Sequence, residues 1–357
     1  MRKRKILLCV GLLSAVLFTS CGNDDMFEPE PIPVRDRGEE SVAAQMRIET
    51  YLSTHFYNYE EFQNPPAGFD FKIKFDTIAG DNSNKTPLID QVDFKMVQDR
   101  EEDDVMYKLY YLDVIEGEGE ELRFPDIATV TYEGTYVNER TIIDENDIDG
   151  DGDTEEEITI FETELFESSV VPIQFDLTQV INGLQDALIE FKGATNVITN
   201  PDGTLSFEEF GVGAVFIPTG LAYFEAPPPG SGIPLYSQLI FAFQVYDGEI
   251  GDQDQDGLLS NFEDINGNGI EEDDDTDEDF VFNLFDTDDD GDGRPTVDEV
   301  ETNTYTIGPS DPDPVLGPDE VEMRRATDIS TGQITIYTAV LPDEDGDGTP
   351  DYLDSDS

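Results

Sequence analysis

The chain has no tryptophan, one histidine and two cysteines, and it sets only 19 basic residues against 83 acidic ones. Each scarcity removes a class of function. A formal net charge of -64 repels polyanions, which excludes nucleic acid and bare anionic lipid surfaces as partners. Neither cysteine is placed for a disulfide, since Cys9 lies inside an apolar run and Cys21 closes it in "LLCVGLLSAVLFTSC". With thiols confined to that run and His55 the sole imidazole, Cys/His zinc sites, cysteine nucleophiles and a Ser-His-Asp relay are ruled out for the rest of the chain. His55 itself, in "YLSTHFYNYE", reads as a packed or surface side chain. Hydrophobic residues make up 37% of the sequence, too few for one core running its whole length. One solid core with accessories, or two modest domains, is the expectation.

The start, "MRKRK" followed by "ILLCVGLLSAVLF", is a basic segment and an apolar run too short to span a bilayer, so residues 1–20 read as an export signal. "LFTSC" resembles the lipobox of bacterial lipoproteins, although Phe18 stands where Leu is usual. That resemblance implies cleavage before Cys21 and its lipidation, with a plain secretory signal as the alternative. Several acyl chains hold a protein firmly where one does so only marginally. Residues 21–40, acidic and proline-bearing, read as an extended tether. Asp24 and Asp25 are either a sorting signal or part of that tether. The expected location is the outer membrane or the periplasmic face, with the cell surface left open.

Residues 41–104 carry no assigned role. Val42, Met46, Ile48, Leu52 and Phe56 fall near helical spacing over 41–58, and 69–100 holds two short alternating pieces around a Gly/Asn/Ser turn. From Val105 the pattern becomes a series of strands: "VMYKLYYLDVI", "IATVTYEGTYV", "ITIFETELF", "PIQFDL", "GVGAVFI" and "QLIFAFQVY". Leu239, Phe241, Phe243 and Val245 would share one face of the last. One helix interrupts them in "TQVINGLQDALIEFK", with Val180, Leu184, Ala187, Leu188 and Phe191 at 3.6-residue spacing and Thr178 as its N-cap. An antiparallel sheet with one short helix on its apolar face is the economical arrangement, an α+β domain.

Order and motifs together resemble the FKBP-type peptidyl-prolyl isomerases. The resemblance rests on "VTYEGTYV", "FESS" followed by "PIQFDL", "QVINGLQDALIEFK", and "FIPTGLAYFEAPPPGSGIPLYSQLIFAFQV", and covers residues 105–247. It implies a twisted antiparallel sheet wrapped around the single helix, with an apolar pocket between them that turns X-Pro bonds of exported, proline-containing polypeptides. Tyr132, Phe166, Ile173, Val180, Ile181, Tyr223, Ile233 and Phe241 would line that pocket, with Leu184 as its floor. The Ile181 N–H and the Tyr223 hydroxyl would bond substrate carbonyls, and Glu167 would take the place of the usual acidic residue. Phe175, Phe243 and Leu239 are expected in the core. Leu184 stands where the family usually has Trp, Ile173 where Phe is common and Glu167 where Asp is common. Segments 138–158 and 194–210 are insertions, read as decoration. A binding module that kept the fold without turnover, chaperone-like or adhesion-related, is the alternative.

Residues 248–357 form an acidic region whose carboxylates fall into repeated frames with a glycine where an ion-wrapping loop needs its sharp turn. The frames are Asp252, Asp254, Asp256 and Glu263; Asp264, Asn266, Asn268 and Asp275; Asp288, Asp290, Asp292 and Glu299; and Asp343, Asp345, Asp347, Asp351 and Asp354. Ca²⁺ is the expected structural ion; no cofactor is expected for catalysis. The first frame ends at Glu263 and the second begins at Asp264, leaving no room for a helix. The region therefore resembles the calcium-loop arrays of thrombospondin type 3 repeats more than paired EF-hands, and that resemblance implies little apolar core. A shorter frame, Asp147, Asp149 and Asp151, has Ile158 at its twelfth place, which makes it at most a partial site.

Overall fold

Asp36 accepts a hydrogen bond from the Glu39 N–H at 2.8 Å and so caps helix α1, Arg37–Thr54. The computed structural model describes residues 34–144, 156–328 and 331–356; the export signal, Cys21 and the frame at Asp147, Asp149 and Asp151 lie outside them. Helix α1 thus begins inside the stretch read as tether and stops short of 58. Its packed face also differs from the expected one. Val42 and Met46 are 65% and 63% exposed, whereas Ala44, Ile48, Tyr51 and Leu52 are buried. Rotation is fixed by Glu40, whose carboxylate pairs with Arg35 at 2.7 Å and Arg47 at 2.8 Å. His55, just past the helix, stacks on Tyr51 with ring centroids 3.9 Å apart, and burial lowers its pKa. It is a packed side chain.

Strands β1 (His55–Tyr57) and β2 (Phe75–Thr77) form a two-stranded ribbon, with the short helix α2 (Tyr59–Gln63) between them. The main sheet is six-stranded and antiparallel, in the order β3-β4-β9-β10-β5-β6. Its members are β3 (Asp93–Gln98), β4 (Met106–Ile115), β5 (Ile127–Asp144), β6 (Glu156–Asp176), β9 (Gly211–Ile217) and β10 (Leu239–Glu249). The two pieces read separately as "ITIFETELF" and "PIQFDL" belong to the single strand β6, and β3 joins the sheet from residues that carried no expected role. Insertion 194–210 is the hairpin of β7 (Asn196–Thr199) and β8 (Leu205–Glu208). Its Phe207 stacks on Tyr246 with ring centroids 4.1 Å apart.

Alternation decides what each face of the sheet meets. Leu239, Phe241, Phe243 and Val245 point to one side, with Val215, Ile217 and Val130, where helix α3 (Asn182–Leu188) adds Leu184, Ala187 and Leu188. Ile240, Ala214, Phe216, Tyr110 and Leu112 point to the other, where α1 covers them with Ile48, Tyr51 and Leu52. The molecule is a mixed α+β protein, mostly sheet with few helices, with a helix on both faces rather than on one. Thr178 does not cap α3. It donates to Asp176 at 2.7 Å within a separate 3-10 turn, Leu177–Gln179, and Ile181 is the N-cap without a side-chain bond.

Beyond Glu249 the chain builds a second, three-stranded antiparallel sheet in the order β11-β13-β12, from β11 (Glu301–Ile307), β12 (Glu320–Asp328) and β13 (Gln333–Val340). The sequence reading missed it. Its apolar centre is small: Leu258, Met323, Ala339 and Tyr352 are its buried hydrophobic members. A buried Arg324–Asp126 ion pair at 2.5 Å ties β12 to the residue preceding β5. Gln253 adds a bond to the Pro125 carbonyl at 2.9 Å.

Candidate functional site

An open cavity of about 480 Å³ lies between α3 and the sheet. Strand β5 contributes Tyr132, β6 contributes Glu167, Ile173 and Phe175, and β10 contributes Phe241. The approach to α3 supplies Gln179, Val180 and Ile181, the helix Asn182 and Leu184, and the segment after β9 Ala222 and Tyr223. Leu184, 3% exposed, belongs to this lining and leaves the hollow open. Phe166 stands behind the wall: its ring meets Phe241 edge-on at 5.6 Å and covers Gly134, where a Cβ would come within 2.8 Å of it. Ile233 is buried in the same core but is not among the lining residues. Phe175, expected in the core, lines the cavity instead, tilted against Tyr132 at 4.9 Å. Sequence alternation assigned it to the inner face and had no means of telling cavity wall from closed core.

The polar side chains of the hollow are Tyr132, Glu167, Gln179, Asn182 and Tyr223. Burial, together with the nearby Glu167 carboxylate, holds the pKa of Tyr132 well above the usual tyrosine range. Burial and, secondarily, Glu167 also raise Tyr223, so both phenols stay protonated near neutrality. The Tyr223 hydroxyl and the Ile181 N–H have no hydrogen-bond partner among the described residues. Two donors at one apolar cavity can hold carbonyl oxygens. The lining contains no thiol, imidazole or amine, so what the hollow can offer is shape, dryness and hydrogen bonds.

The acidic half brings its carboxylates together, though not wholly in the expected sets. Asp252, Asp254 and Asp256 gather with oxygens within 4.8 Å of one another, as do Asp288, Asp290 and Asp292, and Asp343, Asp345 and Asp347. Gly257 and Gly293 take the positive φ, 101° and 94°, that the turn in such a loop demands. Glu263 shares an oxygen cluster with Asp256 and with Asp289, a residue the frames did not include. Glu299 has both oxygens buried without a hydrogen-bond partner among the described residues, pairs with Arg294 at 3.6 Å, and lies near Asp290 and Asp292. Asp275 does not complete the second frame; it gathers with Asp277 and Asp279. The 3-10 turn Glu271–Asp273 shortens that loop, so that Asn266 donates to Asp273 at 2.9 Å and Asp274 at 3.0 Å, and Asn268 to Asp273 at 2.9 Å. Asp264 instead accepts the N–H groups of Gly267, Asn268 and Gly269. Asp351 accepts from the Glu344 N–H at 2.8 Å and Asp354 from Asp356 at 3.1 Å, and neither shares the cluster of Asp343.

Burial dominates the electrostatics here. It raises Asp254 to about 6, Asp256 to about 7, Asp289 to about 8 and Glu263 to about 10, with neighbouring carboxylates adding to each. Orphaned buried oxygens on Asp252, Asp254, Asp256, Glu263, Asp289, Asp290 and Glu299 fit an oxygen-seeking cation, which a hard divalent ion satisfies.

The chain matches no protein-family model, and no curated protein matches it. Among solved structures, FkpA from Escherichia coli is similar at 26% identity and a TM-score of 0.26, over 40% of this chain and 48% of that one. A peptidyl-prolyl cis-trans isomerase from Pseudomonas syringae pv. tomato is similar at 16% identity and a TM-score of 0.26, over 40% of this chain and 75% of that one. The chain thus spans about half the length of FkpA.

Proposed function

We propose that the chain is a peptidyl-prolyl cis-trans isomerase of the FKBP kind, acting on X-Pro bonds of exported proteins. The observation that carries this reading is the apolar hollow against α3, lined by Tyr132, Ile173, Val180, Ile181, Leu184, Tyr223 and Phe241, where the isomerase-like motifs of the sequence converge. An X-Pro amide turns over a barrier of roughly 18–20 kcal/mol set by resonance. No covalent step is needed. A dry wall that fits the twisted amide better than either planar isomer lowers that barrier, and removing water from the carbonyl helps because the planar form depends on it more. Ile181 N–H and Tyr223 hydroxyl would hold the flanking carbonyls in place.

By the same reading the chain is held at a membrane through lipid on Cys21, and the acidic half holds Ca²⁺ as a structural ion. A protease-coupled isomerisation assay on proline-containing peptides tests the enzymatic claim; folded protein that gives no acceleration overturns it. A second reading, binding without turnover, is favoured by Leu184 at the floor, since an aliphatic side chain offers no indole to clasp the proline ring. Peptide binding without acceleration would establish it.

A further inference from the structure

We propose that Asp256, Glu263 and Asp289 form one cation centre that joins the loop at 252–263 to the loop at 286–290. This deepens the reading of the acidic half as calcium-binding by naming a ligand from outside the frames. All three side chains are 1% exposed. Four of their oxygens, Asp256 Oδ2, both oxygens of Glu263 and Asp289 Oδ1, have no hydrogen-bond partner. One oxygen from each lies within 4.8 Å of the others. That limit accommodates oxygens that each sit about 2.3–2.6 Å from one calcium ion, which places them up to roughly 5 Å apart.

Asp289 is built for this position. The next residues on either side, Asp288 and Asp290, gather with Asp292 in their own cluster, and Asp289 points the other way. Its Oδ2 accepts from the buried Thr296 hydroxyl at 3.1 Å, and its N–H donates back to that hydroxyl at 3.3 Å, so Oδ1 is left facing the centre. Asp256 is held alike: its Oδ1 accepts the Leu258 N–H at 2.8 Å, leaving Oδ2 free. Tyr352, 3% exposed and borne by the C-terminal segment, feels the charge of all three carboxylates. Three segments far apart in sequence therefore meet at one place, and an ion there closes them together.

The test is calcium titration by calorimetry on the full chain, with melting curves in calcium and in EDTA, for Asp289→Asn, Glu263→Gln and, as an exposed-frame control, Asp343→Asn. Asp289→Asn and Glu263→Gln should each weaken the tightest binding step at least ten-fold and shrink the rise in melting temperature that calcium gives; Asp343→Asn should leave that step in place. In EDTA, Asp289→Asn should melt no lower than the parent, because a neutral amide of the same shape avoids the cost of burying a carboxylate without a cation. Weakening by Glu263→Gln alone overturns the two-loop centre and keeps the frames; weakening by neither overturns both. Equal destabilisation of Asp289→Asn in calcium and in EDTA assigns that side chain a packing role and overturns the centre. As a check independent of those variants, Tb³⁺ luminescence excited through tyrosine should be displaced by calcium and lose more than half its intensity in Tyr352→Phe; unchanged intensity overturns the placement.

Discussion

The two halves of the chain bury opposite kinds of side chain. Around the main sheet, Leu109, Leu112, Val215, Phe216, Leu239 and Phe243 are almost fully buried, and the buried Thr131, Gln244 and Tyr246 hydroxyl of its strands bond one another. Around the second sheet the buried hydrophobic cluster is Leu258, Met323, Ala339 and Tyr352, while Asp256, Glu263, Asp289, Asp290 and Glu299 are buried beside it. Leu284 and Ile336 are also fully buried there, so the apolar core of the acidic half is the smaller of the two. Buried carboxylates without partners oppose folding unless a cation joins them, and on the calcium proposal that cation is what orders the region.

The sharpest way to break this contrast is chelation. Removing divalent cations should unfold the region beyond 248 as a unit and expose it to limited proteolysis, while the main sheet survives and melts at nearly its former temperature. Uniform protection of both halves in EDTA would refute the division. Phe243→Ala should do the converse. Its ring meets Phe191 edge-on at 5.0 Å in the closed part of the core, so truncation should cost about 3–5 kcal/mol by denaturant melts and leave calcium stoichiometry as it was. A change in stoichiometry would mean that the halves fold as one.

Between these stands the link. Arg324 is 4% and Asp126 1% exposed at the side chain, paired at 2.5 Å, and the guanidinium also donates to the Glu121 carbonyl at 3.2 Å. Arg324→Ala leaves a buried carboxylate without its cation, which costs about 3 kcal/mol or more. A wider gap in calcium between the melting transitions of the two halves than in the parent is the expected outcome; transitions at the parent's temperatures would remove Arg324 from that role.

How much of this was legible in the sequence follows the same divide. Strands β4, β9 and β10 were readable because period-two alternation of large apolar residues leaves little choice of face. Edge strand β3 was readable only as one of two short alternating pieces, without its place in the main sheet, since only Val97 of "DFKMVQ" is buried and an edge need not be apolar. Helix α1 was found with the wrong face, because Val42 and Met46 suggested a stripe that Tyr51 and the Glu40 ion pairs override. In the acidic half the glycine-marked frames were readable, but Asp289 was hidden in "TDDDGDG", where spacing selects the even-numbered acids. Asp275, Asp277 and Asp279 lack the glycine that marks the other frames. β11 was overlooked because "ETNTYTI" alternates without grease. At the hollow, the lining was legible through resemblance; the place of Glu167 opposite Gly134 was not, since it depends on the register shifts of β5 and β6 at Val130/Tyr132 and Gly134/Thr135.

The smallest effect sharpens the most. Tyr223→Phe deletes one hydroxyl that bonds nothing among the described residues, so melting temperature should hardly move. In the substrate complex that hydroxyl would donate to a carbonyl, a bond with a net contribution of about 1 kcal/mol, and its loss should slow isomerisation roughly five- to ten-fold. Tyr132→Phe is the comparison inside the same wall: its hydroxyl lies near the Glu167 carboxylate, and its loss should slow isomerisation less than the loss of the Tyr223 hydroxyl. Because burial keeps the Tyr223 phenol protonated above the usual range, the parent's rate should stay flat as pH rises through 9. A Tyr223→Phe enzyme as fast as the parent, with the fold intact, would take that hydroxyl out of catalysis and leave the rate to the rest of the hollow.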